Sequence, residues 1–282
     1  MRLGVNLLCA TDHVSPDDYH LFDLAQANGF SHIELPLLSG TPDDYAKAGH
    51  RLSAMGLTVG CTAITLPDAD PTSGDEAVRQ AGIAHLQWIV ECAAAMGAET
   101  VGGPFHAAIG QFTGAGPTED ELARGAEAHH QMAEEARTHG MVLALEALNR
   151  FETHFLNTAA QARAYAQRVD HPNFGLMYDT FHAHIDEKSQ PAAVAHLGDK
   201  ITVLHASEND RGVPGTGQID FAGIFAAARS AGFNGPVVME AFGSGLPALA
   251  AATRVWRPLF PDLETLFKEG GAALKQAMDT AG

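Results

Sequence analysis

Four polar residues close short apolar runs in the second half of this 282-residue chain: Glu146 ends LALE, Asp179 ends GLMYD, His205 ends TVLH and Glu240 ends VVME. An unpaired carboxylate in a strand core costs several kcal/mol, so four such endings on successive runs point to one shared use, the binding of a divalent metal. Three carboxylates and an imidazole make a mostly hard, oxygen-rich donor set. It suits Mn²⁺, with Mg²⁺ or Co²⁺ as substitutes, better than a structural zinc built on thiolates. Any one of the four alone reads as well as a structural ion pair. Together they do not, because the runs that carry them offer no basic partner.

Three further polar residues follow these runs closely: Glu152 in NRFET, His182 in DTFHAHI and Arg211 in SENDRGVPGTG. All three are expected on loops. Each has a plain reading, Glu152 as a solvated acid, His182 as a surface imidazole and Arg211 as a turn residue leaning on Glu208 or Asp210. An arginine and a histidine beside a metal are also the donors that a polyhydroxylated ligand needs. Glu34 and His106 are weaker candidates for the mouth of the same site, and His184 reads as an exposed neighbour.

The elements that must position these groups are legible from the alternation of the chain. Apolar or β-branched runs occur at RLGVNLL (from Arg2), HIELPL (His32), TVGCTAI (Thr58), TVGGPF (Thr100), MVLALEAL (Met141), FGLMYD (Phe174), ITVLHASE (Ile201) and PVVMEAF (Pro236). Segments with helical spacing lie between them, such as Glu119 to Thr138 and Phe221 to Ala231. Glycine marks several returns from helix to strand, at Gly29, Gly56, Gly97, Gly140 and Gly232, where a residue with positive φ ends a helix cheaply. Eight strand–helix units in about 250 residues predict a single-domain (β/α)₈ barrel of the α/β class over residues 1–282. The rival, an open doubly wound sheet, lacks any GxGxxG or Walker-type loop. Strand parity then turns Ala144 and Glu146 into the barrel and Leu143 and Leu145 outward, and treats Glu240 likewise after outward Val237 and Met239. All four candidate ligands fall at C-terminal strand ends, the face where barrels hold catalytic groups.

Composition excludes several classes. Asp and Glu outnumber Lys and Arg 34 to 17, for a formal charge of −17, which repels phosphate backbones and anionic lipid; no nucleic-acid partner is expected. The longest apolar stretch, Ile83 to Met96, is interrupted by His85, Gln87 and Glu91 and is too short to span a bilayer. The N-terminal MRLGVNLLCATDHV reads as a first strand and not as a signal sequence. Cys9, Cys61 and Cys92 show neither disulfide nor zinc spacing and suit buried thiols in a cytoplasmic protein.

The runs LEALNRFETHFLNT, GLMYDTFHAHIDE, LHASENDRGVPGTGQIDF and VVMEAF resemble the xylose isomerase-like barrel superfamily, and within it the ketose 3-epimerases acting on D-tagatose, D-allulose (psicose) or L-ribulose. The resemblance implies metal ligation by Glu146, Asp179, His205 and Glu240, and substrate contacts from Glu152, His182 and Arg211. It further implies a free-ketose substrate and a homodimer or homotetramer. The mechanism it implies is C3 inversion through an enediolate, with Glu146 and Glu240 moving the proton on opposite faces. An aldose–ketose isomerase of hydroxypyruvate or inosose type, or a lyase on 3-keto-sugar glycosides, would use the same groups. Specificity is expected from the first half of the chain, around Asn6, Ile64 and His106.

Overall fold

The computed structural model describes residues 1–282. Each apolar run becomes a strand: β1 (Arg2–Asn6), β2 (His32–Leu37), β3 (Thr58–Ala63), β4 (Thr100–Gly103), β5 (Val142–Glu146), β6 (Phe174–Asp179), β7 (Ile201–Ala206) and β8 (Pro236–Met239). They pair in sequence order, and β8 returns in parallel to β1, which closes the barrel. Around it run α1 (His20–Ala27), α2 (Pro42–Ala54), α3 (Glu76–Met96), α4 (Glu119–Thr138), α5 (Ala159–Val169), the short α6 (Thr180–Asp186), α7 (Gln190–Leu197), α8 (Phe221–Ser230), α9 (Pro247–Thr253), α10 (Leu263–Thr265) and α11 (Gly271–Thr280).

Local chemistry sets the helix ends. The expected helix from Glu119 to Thr138 is α4 residue for residue, opened by a reciprocal Thr118–Glu121 capping box that satisfies two orphan N–H groups. Asp75 caps α3 by accepting from the N–H groups of Ala77 and Val78 at 2.8 and 3.2 Å, and Gly97 ends it at φ +72°. The expected helix from Phe221 stops one residue short of Ala231, which caps it. No helix is long and apolar enough to cross a membrane, and the three cysteines are free and buried.

Inside the barrel, the residues two positions before each candidate ligand, Ala144, Met177, Val203 and Val238, form one buried apolar cluster. The parity expected from the sequence therefore holds on all four strands. On β7 it holds only because of an irregularity: Leu176 pairs with Ile201 but Met177 with Val203, which makes Thr202 an extra residue. A bulge of this kind resets which side chains face inward, and it turns Val203 and His205 to the interior while Ile201 joins the outer core.

Candidate active site

Each strand end delivers one group. Glu146 is the last residue of β5 and Asp179 the last of β6, His205 is the penultimate residue of β7, and Glu240 lies one past β8. All four are buried, with His205 at 0% exposure. Asp179 also caps α6: its Oδ1 accepts from the N–H groups of Phe181 and His182 at 2.7 and 2.9 Å, leaving Oδ2 for the site. His205 Nδ1 lies 3.2 Å from Glu240 Oε1 and 3.9 Å from Asp179 Oδ2 and makes no hydrogen bond. Donor atoms fall into two groups, each within 4.8 Å: Asp179, His205 and Glu240, and Glu146, Asp179 and His182. Asp179 joins the two. Oxygen-rich donors around an unpartnered, buried imidazole nitrogen fit a divalent cation.

His182 is not on a loop, as expected, but in the first turn of α6, and it is buried. Asn149 holds it: the backbone N–H and the side-chain amide of Asn149 both donate to His182 Nδ1, at 3.2 and 2.9 Å. Its Nε2 faces Arg211 Nη2 at 3.0 Å and Glu146 Oε1 at 3.6 Å. Burial, followed by the Arg211 charge, pushes its pKa down to about 3, so the ring is neutral. The same Asn149 amide donates to Glu152 Oε1 at 2.8 Å. Glu152 is half-buried, and that burial raises its pKa despite Arg211.

Arg211 brings, from the loop after β7, a cation that the strand runs themselves do not carry. Its Nη1 donates to Asp179 Oδ2 at 3.1 Å, Ser207 Oγ at 2.6 Å and Glu240 Oε2 at 2.5 Å. The guanidinium is flanked by the rings of Phe181 and Phe242, 4.0 and 4.8 Å from their centroids, a geometry that favours a desolvated cation. Its backbone adopts φ +67°, a conformation a bulky residue takes only when its surroundings impose it. Here the Arg211 N–H donates to Glu208 O at 2.9 Å, and its carbonyl accepts from the Phe242 N–H at 3.0 Å.

The two glutamates are in unlike fields. Burial and then the Asp179 charge raise the Glu146 pKa well above the usual carboxylate range. Burial acts the same way on Glu240, but His205 and Arg211 outweigh it and hold the carboxyl down at about 2.

Three residues expected at the mouth are buried against the site. Glu34 is 0% exposed and bonded to His205 Nε2 at 2.7 Å. His106 is equally buried and stacks on Phe155. Asn6 is buried, and its amide nitrogen reaches Thr62 Oγ1 at 2.9 Å, and Glu34 and Glu240 at 3.3 Å each. Ile64 is half-buried, its carbonyl 2.9 Å from His85 Nε2, and His184 is exposed, as expected. Thr62, Asn149, Ser207, Phe181 and Phe242 carried no separate signal in the sequence, since a single Asn, Ser or Phe beside a motif is common in any barrel loop.

A family model described as xylose isomerase-like TIM barrel matches residues 22–276. The L-ribulose 3-epimerase of Mesorhizobium japonicum is 36% identical over 256 residues, covering 90% of this chain and 86% of that protein. The ketose 3-epimerase of Arthrobacter globiformis is 32% identical over 99% of this chain and 97% of its own length. A solved structure of L-ribulose 3-epimerase superposes with a TM-score of 0.94 at 32% identity, over 99% of this chain and 95% of that one.

Proposed function

The chain belongs to the xylose isomerase-like TIM barrel family, and on that premise we propose that it is a metal-dependent ketose 3-epimerase, inverting C3 of a free ketose of the D-allulose/D-fructose, D-tagatose or L-ribulose type. The observation that carries the reading is the pair Glu146 and Glu240, on β5 and β8, flanking Asp179 and His205 from the two strands between them. The relatives named L-ribulose 3-epimerase and ketose 3-epimerase support the same reaction class.

Glu146, Asp179, His205 and Glu240 would hold the ion, Mn²⁺ by the hardness of the set, with Mg²⁺ or Co²⁺ as substitutes. When bound it supplies Lewis-acid polarisation of the ketose carbonyl at C2. Glu240, kept ionised by His205 and Arg211, takes the C3 proton of one epimer. Glu146 returns a proton to the opposite face, and the roles exchange for the other epimer. Arg211 and His182 hold the O1 to O3 region, and the Arg211 charge opposes the negative charge that develops there. Glu152 tunes this exchange through the Asn149 amide it shares with His182.

The protein acts in the cytoplasm as a homodimer or homotetramer in this reading. Three free thiols suit a reducing compartment. Phe112 and Phe151, 52% and 70% exposed, stand on adjoining loops tied by the Gly110 N–H to Glu152 O bond of 2.8 Å, and they offer apolar surface to a second copy.

Deuterium tracing tests the reaction. Metal-loaded protein incubated in D₂O with D-allulose, D-tagatose or L-ribulose should place the label at C3. Label at C1 indicates an aldose–ketose isomerase instead, and cleavage of a 3-keto-glycoside a lyase. No turnover on any of these sugars would sink the reading.

A further inference from the structure

Glu34, on β2, is a fully buried carboxylate with no lysine or arginine against it; His205, 171 positions away, is its only charged-type partner. Its Oε2 receives three groups: His205 Nε2 at 2.7 Å, the Thr62 hydroxyl at 2.9 Å and the Asn6 amide at 3.3 Å. Because a carboxylate only accepts, the imidazole proton lies on Nε2. The other ring nitrogen, Nδ1, faces Glu240 Oε1 at 3.2 Å without a hydrogen bond, and it is the nitrogen that a metal would take. An amide oxygen in place of the carboxylate would serve Thr62 and Asn6 as well and would avoid the cost of a buried charge. The negative charge therefore has a use, and the one group positioned to feel it is the imidazole.

We propose that Glu34 is a positioning residue for the metal: it fixes the tautomer and orientation of His205 so that Nδ1 ligates, and it strengthens Nδ1 as a donor by sharing the Nε2 proton. The proposal rests on the metal reading above. A carboxylate behind a ligating histidine sets both ring orientation and donor strength, and its loss typically costs about 10–100-fold in affinity.

The test is calorimetric titration of Mn²⁺ into metal-free wild type and Glu34→Gln, with the visible spectrum of each Co²⁺-loaded protein as a second readout. Glu34→Gln is expected to remain folded by circular dichroism, to bind Mn²⁺ about 10–100-fold more weakly and to show a shifted Co²⁺ spectrum. A variant that binds as tightly as wild type, with an unchanged spectrum, overturns the role of Glu34 and leaves the metal site standing. Should the variant not fold, nitrogen NMR of the imidazoles in Mg²⁺-loaded wild type decides. Protonated Nε2 and bare Nδ1 on His205 support the proposal, and the reverse tautomer overturns it. If wild type itself binds none of these ions, the metal reading falls, and the role of Glu34 with it.

Discussion

The two halves of the barrel put polar residues at matching heights and use them differently. On β5 to β8 the ends present Glu146, Asp179, His205 and Glu240 to a shared space, and the layer beneath is filled by Ala144, Met177, Val203 and Val238. On β1 to β3 the matching positions hold Asn6, Glu34 and Thr62, which bond to one another, and the layer beneath includes Gly4, His32 and Gly60. These glycines are required by close approach: a Cβ on Gly60 would lie 2.8 Å from His32 Nε2 and 2.9 Å from Thr100 Oγ1. A barrel interior has a fixed cross-section, so large side chains from one strand demand small ones opposite. One half is thus a bracket whose Asn6, Glu34 and Thr62 bond to one another, although Glu34 Oε1 and His32 Nε2 find no partner, and the other half brings its acidic and imidazole groups to a shared space.

The largest expected effect breaks the convergent half. Glu146→Gln and Glu240→Gln keep the shape and one ligating oxygen but cannot take a proton, so each should lower kcat by about 10²–10⁴-fold while metal content stays measurable. Near-normal epimerisation by either variant with metal bound would rule out the two-glutamate mechanism. Glu152 bonds to the site through Asn149, so Glu152→Gln should lose less turnover than either; an equal loss would move it into the proton-transfer step.

The bracket should show itself in stability. Asn6→Ala removes the amide that joins Thr62, Glu34 and Glu240, along with the acceptor of the Leu8 N–H. Unsatisfied buried partners predict a loss of about 1–3 kcal/mol in urea unfolding. Gly60→Ala, which overpacks the layer beneath, should cost about 1–3 kcal/mol as well. If Asn6→Ala proved neutral in unfolding while impairing turnover on ketoses, Asn6 would be a substrate contact and the contrast between the halves would weaken.

A smaller effect concerns pH. Burial lowers the pKa of His32 to about 4, of His106 to about 3 and of His129 to about 4, from 6.5, and all three belong to the first half of the chain. The unfolded chain takes up these protons below pH 6.5, whereas the folded protein refuses them. Their contribution to stability is therefore complete above pH 6.5 and declines as pH falls toward 4, by about 1.4 kcal/mol per pH unit for each proton. Proton uptake on unfolding at pH 5 should drop by about one in His129→Gln.

What the sequence determined alone is what depends on neighbours along the chain. The eight strands, the bounds of α4 and the inward facing of Glu146 and Glu240 follow from alternation, capping residues and the ends of apolar runs, all local signals. The four metal candidates were legible for the same reason, as charges where a strand core does not accept them. Contacts between distant segments decided the rest. Glu34 meets His205 across 171 positions, and Arg211 reaches two carboxylates from a backbone conformation that its loop imposes. The extra residue at Thr202, visible only in the pairing of β6 with β7, turns His205 inward. Asn6 and Glu34 read as mouth residues because a polar strand end looks the same in sequence whether it faces solvent or another strand's side chain. Only closure of the barrel, which brings β1, β2 and β3 against β7 and β8, distinguishes a group that is free to bind from one already satisfied.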